Sequence, residues 1–279
     1  MVMLRDIHLG DEESDFFAPI AFVPENNKDA IVLAVKQLSP WAEGGASSFE
    51  GGKAHAAKLL DDMNPADYAH SRNHLDGSVT KLSPFIRHGV LSLNDVRNAA
   101  LDKSSKRDAE KFIQQLAWRD YWQRLYAENP EMIWHDVEPY KTGFDADDYV
   151  DELPSDIESA QTGVACIDAF LRELLESGTM HNHARLYVAG YICHWRRVKW
   201  QAGAKFFLKH LLDGDPASNN LSWQWAASTF SHKPYYYNLD NVSKFSGDNL
   251  DTSPENNAVL DGSYEALYET LFPNLEPKP

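Results

Sequence analysis

Three short stretches of the chain bring together side chains that could do chemistry. In Ser78-Val79-Thr80-Lys81-Leu82-Ser83-Pro84-Phe85, hydroxyls and a lysine precede a helix start, with Ser83 as N-cap and Pro84 at the first helical position. Free N–H groups at a helix N-terminus, with hydroxyls and a lysine beside them, make a cradle for phosphate or pyrophosphate. The plain alternative is a cap and nothing more. In Met180-His181-Asn182-His183-Ala184-Arg185, His181 and His183 are of metal-ligand type. Two residues apart on a helix they point to different faces, and no neighbouring Cys or carboxylate completes a site, so no metal is expected. A polar helix start is the alternative. The stretch from Leu212 to Ser228 holds Asp213, Asp215, Asn219, Asn220, Trp223 and Trp225. Its Asp-Gly-Asp is like the start of a calcium loop, but the glutamate that closes such a loop is absent. Two carboxylates, two amides and two indoles this close together suit a flat aromatic ligand with polar edges. Capping by Asp215 and core packing by the two tryptophans are the bland readings.

The elements that must position these residues read as helices. Ser92-Leu93-Asn94-Asp95 is a helix start with an acid in the first turn. From Asp108 to Glu128, Phe112, Leu116, Arg119 and Trp122 recur at steps of four or three, one stripe with an arginine inside it. Asn129-Pro130 ends that helix. Residues 135–160, acidic and carrying Pro139, Gly143 and Pro154, read as a long loop. Helices are expected over Cys166 to Glu176, Met180 to about Arg197, Gln201 to Leu212 and Ala217 to Ala227. Alternating strand patterns are scarce, so the fold class is all-α, a helical bundle. Residues 1–43 read as an N-terminal extension, 44–238 as the main domain and 239–279 as an acidic C-terminal tail.

The 279 residues carry 26 Lys+Arg against 42 Asp+Glu, a formal net charge of −16. Taken whole, that opposes nucleic-acid binding, which needs a basic footprint. The charge is uneven, however. Residues 1–30, 128–158 and 240–279 are strongly acidic, and what remains is mildly basic. Between Arg185 and Lys209 lie Arg196, Arg197, Lys199 and Lys205 and no acid. One basic face inside an acidic shell is compatible with DNA; a solvated helix face is the bland reading. No apolar run approaches a membrane span and no secretory signal opens the chain. Two cysteines, Cys166 and Cys193, make no disulfide framework, so a reducing cytoplasmic location is expected.

From Gly44 to about Tyr237 the chain resembles the helical FAD-binding domain of the DNA photolyase/cryptochrome family. The motifs that carry the resemblance are Val79-Thr80-Lys81-Leu82-Ser83-Pro84, Gln115-Leu116-Ala117-Trp118-Arg119-Asp120, Thr162-Gly163, Met180-His181-Asn182, Arg185, and Asp213-Gly214-Asp215 through Asn219-Asn220 to Trp223-Gln224-Trp225-Ala226-Ala227-Ser228. The family's N-terminal α/β antenna domain has no counterpart in the stretch before Gly44, so no antenna chromophore is expected.

The resemblance implies FAD as cofactor. It implies Tyr68, Thr80, Lys81, Leu82 and Ser83 at the phosphates, with Val79 in place of a family threonine. Phe112 and Arg119 would line the flavin cavity; Asp213, Gly214 and Asp215 would meet its polar edge, with Asp213 pairing Arg185 and Asn219 facing N5. The implied reaction is light-driven electron transfer from reduced flavin to a pyrimidine dimer in DNA, flipped out of its stack. Trp118 and Trp225 would wall the lesion pocket, and Asn182 would join adenine and lesion. Asn182 and Leu186 stand where the (6-4) photolyases carry histidines, which favours a cyclobutane dimer. Gln115 stands where cyclobutane photolyases carry a glutamate, and His183 replaces a phosphate-binding arginine. Trp223 and Trp200 match the inner electron-transfer relay; its outer member falls near Asp147, with Tyr149 or Trp134 as substitutes, or the relay stops short. His183 and the acidic flanks point to single-stranded lesions. The rival expectation is a cryptochrome-like blue-light or redox sensor, its acidic tail holding a protein partner.

Overall fold

A computed structural model describes residues 28–41 and 44–276. Most of the expected N-terminal extension, with the acidic cluster Asp11-Glu12-Glu13, lies outside the described residues. The chain divides into two compact units with the boundary after Ser48. In the first, α1 (Lys28–Leu38) is followed by an irregular stretch, and Lys28 Nζ donates to Ser47 O at 2.7 Å.

The second unit is helical throughout; among the described residues the only strand-like pairing is an isolated bridge between Val150 and Val198. It opens with α2 (Lys53–Asp62), α3 (Pro65–Ser71), the five-residue α4 (Ser83–Arg87), α5 (Leu93–Lys103) and the 23-residue α6 (Lys106–Glu128). Starts are set by short polar side chains that take the first free N–H groups. Asn64 caps α3, Ser105 caps α6, and Ser92 with Asp95 forms a capping box on α5, as the sequence pattern predicts. These helices share a core built on Leu82, Phe85, Val96, Ala100 and Phe112.

A larger core is formed by α8 (Ala165–Ser177), α9 (Asn182–Gly190), α10 (Trp200–His210) and α11 (Pro216–Ala227). Trp200, Tyr187 and Tyr237 are wholly buried within it. Burying one such aromatic removes about 200 Å² from water, worth on the order of 5 kcal/mol before entropy is counted. Gly203 lets α10 and α11 approach closely: a Cβ there would stand 2.2 Å from the Trp223 ring.

Three regions differ from the sequence reading. The helix expected from Met180 to about Arg197 begins at Asn182, and α9 passes into a π-helical turn, Tyr191–Trp195. Residues 135–160 contain a 3₁₀ turn, Ala146–Asp148, and a short α7 (Ser155–Glu158). Residues 239–276, read as a tail, form α12 (Leu239–Ser246), three 3₁₀ turns and α13 (Tyr264–Leu271), and they pack on the body. Leu239, Val242, Leu260, Leu267, Leu271 and Phe272 are buried, and buried Asn257 accepts a hydrogen bond from the Cys166 N–H at 3.0 Å. The acidic side chains of this segment face water while its sparser apolar ones carry the docking energy. No helix of the described residues is long and apolar enough to cross a membrane.

Candidate functional site

A cavity of about 440 Å³ opens between α3, α4, α6, α8, α9 and the loop before α11. One wall comes from the Val79–Ser83 stretch and α4. Thr80, Lys81, Leu82 and Ser83 all line it, as does Tyr68 from α3, whose ring meets Phe112 edge-on at 5.1 Å. Burial raises the Tyr68 pKa. Lys81 holds φ 52°, a left-handed conformation that costs a non-glycine residue about 1–2 kcal/mol. Ser83 differs from the sequence reading. It is the first residue of α4 and caps nothing; its Oγ donates to Asp213 Oδ2 at 2.6 Å. With only five residues, α4 is held by its contacts: Arg87 Nε donates to Gly214 O at 2.6 Å, and His88 Nε2 lies 2.9 Å from Leu212 O.

The opposite wall is α6, which contributes Phe112, Gln115, Trp118, Arg119 and Trp122 at helical spacing. Trp118 is 51% exposed, unusual for an indole, and stacks on Trp122 at 5.2 Å and 29°.

The floor carries a buried ion pair. Arg185 Nη2 donates to Asp213 Oδ1 and Oδ2 at 3.0 and 2.9 Å, and its Nε donates to Met180 O at 3.0 Å. Burial pushes the Asp213 pKa up, but the charge and hydrogen bonds of Arg185, the Ser83 hydroxyl and the charge of Arg119 outweigh it, so the carboxyl titrates below its ordinary range. Asn182 is exposed where it meets the cavity.

Other expected site residues are placed elsewhere. Asp215 is buried and committed to structure: Oδ2 accepts the Ser218 N–H at 2.8 Å as the α11 cap, and Oδ1 accepts from Gln123 of α6. Asn219 donates to Ala204 O and Asn220 Oδ1 at 3.0 and 2.9 Å and is not on the wall. Gly214 and Trp225 also stand off it; Trp225 is 43% exposed and packs on Tyr235 at 5.5 Å. His183 is drawn into an aromatic stack with Tyr187 at 4.5 Å, its Nδ1 2.6 Å from Asn73 O, and burial lowers its pKa. Trp223 and Trp200 are buried, and Trp200 Nε1 donates to Asp136 Oδ1 at 2.6 Å. Asp147 is exposed, whereas Tyr149 is buried and stacks on Tyr140 at 4.2 Å.

Of the cavity residues that the sequence does not single out as site residues, two carry free donors. His181 Nδ1 accepts the His183 N–H at 3.1 Å and caps α9, which leaves the ring proton on Nε2. That Nε2 is buried, without a partner, on a cavity-lining residue. Burial, reinforced by the charges of His183, Arg185 and Lys81, lowers the His181 pKa to about 4, so the ring is neutral near pH 7. Ser218 Oγ is likewise buried and unpartnered on the cavity. His181 stands inside a motif the sequence displays, but its spacing to His183 suggests metal chemistry. Only the fold shows the donor.

The lining therefore offers cations (Lys81, Arg119, Arg185), aromatic faces (Phe112, Trp118, Trp122) and two buried donors with nothing to bond. Buried donors without partners are costly, and a ligand rich in acceptors would satisfy them. FAD, with its pyrophosphate, ring carbonyls and flat ring system, fits this donor set. Among the described residues, no group of three or more His, Cys, Asp or Glu side chains could hold a metal.

Comparison with known proteins agrees with this donor set. Residues 112–253 match the family model described as the FAD binding domain of DNA photolyase. The chain is 36% identical over 261 residues to the deoxyribodipyrimidine photo-lyase of Streptomyces griseus, covering 81% of this chain and 56% of that protein. Among solved structures it is similar to a bacterial class III photolyase from Agrobacterium tumefaciens (TM-score 0.62, 29% identity, 72% of this chain and 44% of that one). It is similar also to an archaeal photolyase from Sulfolobus tokodaii solved with two FAD molecules (TM-score 0.61, 28% identity, 76% and 48%). The chain thus spans about half the length of these relatives.

Proposed function

Because the chain belongs to the family of the DNA photolyase FAD-binding domain, we propose that it is a light-driven lyase acting on pyrimidine dimers in DNA, of the cyclobutane type and in single strands. The observation that carries this reading is the half-exposed Trp118 standing over a cavity whose floor holds unpartnered donors. FAD, when bound, supplies the light-absorbing centre and the electron that opens the dimer.

The chain's own residues bind and orient. Lys81 with Thr80 and the Leu82–Ser83 backbone would hold the pyrophosphate, with Tyr68 beside it. Arg185, fixed by Asp213 and Met180 O, and Arg119 would place positive charge by the flavin and favour its reduced, anionic form. His181 Nε2–H and Ser218 Oγ–H would donate to its acceptors. Asp215 and Asn219 would act from behind the wall, by holding α11 to α6 and α10. Trp223 and Trp200 would carry electrons inward; the Trp223 ring packs against Gly203 of α10, the helix that opens at Trp200.

Trp118 would stack on a flipped pyrimidine, with Trp122 bracing its other face. Gln115 offers the base edge an acceptor and a donor, and Asn182 stands at the opening. A cyclobutane dimer needs no proton shuttle. His181 is ill suited to be one, since Nδ1 serves as a cap and its pKa is about 4. Single strands are favoured because an unpaired lesion is flipped at lower cost, and because His183, its pKa lowered by burial and its Nδ1 2.6 Å from Asn73 O, offers a phosphate no fixed charge. The two free cysteines are buried, which suits a reducing cytoplasm.

The deciding experiment is blue-light illumination of the reduced, flavin-loaded protein with an oligonucleotide carrying one cyclobutane dimer. Loss of dimers is expected, faster on single strands than on duplex. Intact dimers despite full flavin occupancy would transfer the assignment to a flavin-based light sensor.

A further inference from the structure

We propose that the outer stripe of α6 is a track for single-stranded DNA that leads to the cavity. It deepens the function proposed above, since the strand it holds would present its lesion to the cavity. Arg107, Lys111, Gln114, Trp118 and Tyr121 follow one another at steps of four, three, four and three, so they lie on one face of the helix, and each is exposed. The stripe runs roughly 21 Å at 1.5 Å per residue. Its order is directional, with two cations at the N-terminal end, an amide between, and two aromatics at the other end, of which Trp118 lines the cavity.

Each carboxylate near the stripe has a hydrogen-bond partner, and Asp120 alone pairs with a cation. Asp108 accepts from Ser105 Oγ at 2.8 Å, Glu110 from Gln114 Nε2 at 3.2 Å, and Asp120 pairs with Arg124 at 2.8 Å. The aromatic end is braced: Tyr121 meets Trp118 edge-on at 5.8 Å, and Trp122, behind both, contacts Phe230 at 5.9 Å. With one face of Trp118 covered by Trp122, its other face remains for a base. Cations followed by open ring faces, with no aliphatic anchor on the stripe, suit phosphates and unstacked bases better than a protein helix, which needs apolar anchors at such spacing. A duplex hides its base faces from these rings, and the chain's net charge of −16 offers it no broad basic footprint.

The test is fluorescence anisotropy of a short labelled oligothymidylate, undamaged, titrated with the full, FAD-loaded chain. Tyr121→Ala is expected to weaken binding about tenfold by removing the ring on which one base stacks. The double variant Arg107→Gln/Lys111→Gln is expected to weaken it and to lower the salt slope by about 1.4, roughly 0.7 for each single-strand phosphate no longer neutralised. Flavin content should match that of the unsubstituted protein in both, showing the fold intact. Unchanged affinity in both variants overturns the track, as does a duplex of the same sequence that binds as tightly as the single strand. If the parent chain splits no dimers yet both variants lose affinity, the repair assignment falls and the track stands. If it splits dimers while both variants bind like the parent, the track falls alone.

Discussion

Helices α6 and α11 depart from the hydrophobic-inside pattern in opposite directions. Over 23 residues α6 buries only Ala109 and Phe112, and it leaves Trp118 and Tyr121 about half exposed. Over 12 residues α11 buries Asn220 and Gln224 together with its apolar side chains other than Trp225, and Asp215 is buried at its cap. The two buried amides of α11 are occupied with backbone groups of the preceding segment. Asn220 Nδ2 donates to Ile133 O and Gln224 Nε2 to Met132 O, both at 2.8 Å, while Gln224 Oε1 accepts the Val137 N–H at 3.1 Å. The 3₁₀ turn Pro130–Ile133 and the loop that follows it are thereby satisfied from within the core. The exposed rings of α6 have no such internal purpose. The buried amides of α11 hold the fold, and the exposed aromatics of α6 stay open to solvent.

That contrast can be tested, beginning with the buried side. Asp213→Ala should cost about 3–5 kcal/mol by leaving the Arg185 guanidinium unpaired, and should abolish flavin retention. Urea unfolding and bound-flavin absorbance report the two effects. Acid should act through buried His194, whose pKa burial lowers from 6.5 to about 4. Between those values the unfolded chain binds more protons than the folded one. This stability is therefore complete above pH 6.5 and lost as the pH falls towards 4, on the order of 3 kcal/mol in all. His194→Gln keeps a donor towards Ala226 O and should flatten that part of the unfolding profile. Gln224→Leu strands the Val137 N–H and Met132 O and should lower stability by about 1–3 kcal/mol, read as a shifted urea midpoint with an unchanged slope. On α6, Trp118→Ala and Tyr121→Ala should each move stability by no more than about 0.5 kcal/mol. A large loss there would show that these rings belong to the core and would erase the contrast.

Much of the site was legible because its signals are local. Val79–Ser83, the Phe112–Trp122 stripe and the run from Met180 to Arg185 each sit on one element, and helical spacing predicts which of their residues share a face. Residues whose partners are remote were not. Ser83 looks like a cap until Asp213, 130 residues away, takes its hydroxyl. Asp215 looks like a ligand contact until Gln123, 92 residues away, reaches it. His183 looks free for a phosphate until Asn73 and Tyr187 enclose it. The acidic count of residues 240–279 concealed the apolar positions by which that segment docks.

By itself the sequence determined the helical class, the cap at Ser92, and the residue types gathered around the cavity. These follow from 3.6-residue periodicity and from side chains that reach only their own backbone. Tertiary structure alone decided which polar groups remain available for chemistry. A hydrogen-bonding side chain is spent by whichever remote segment packs against it first, and no local spacing records that choice. His181 shows both sides. Its place in Met180-His181-Asn182 is plain in the sequence, but only its bond to the His183 N–H turns its remaining proton into a donor for the cavity.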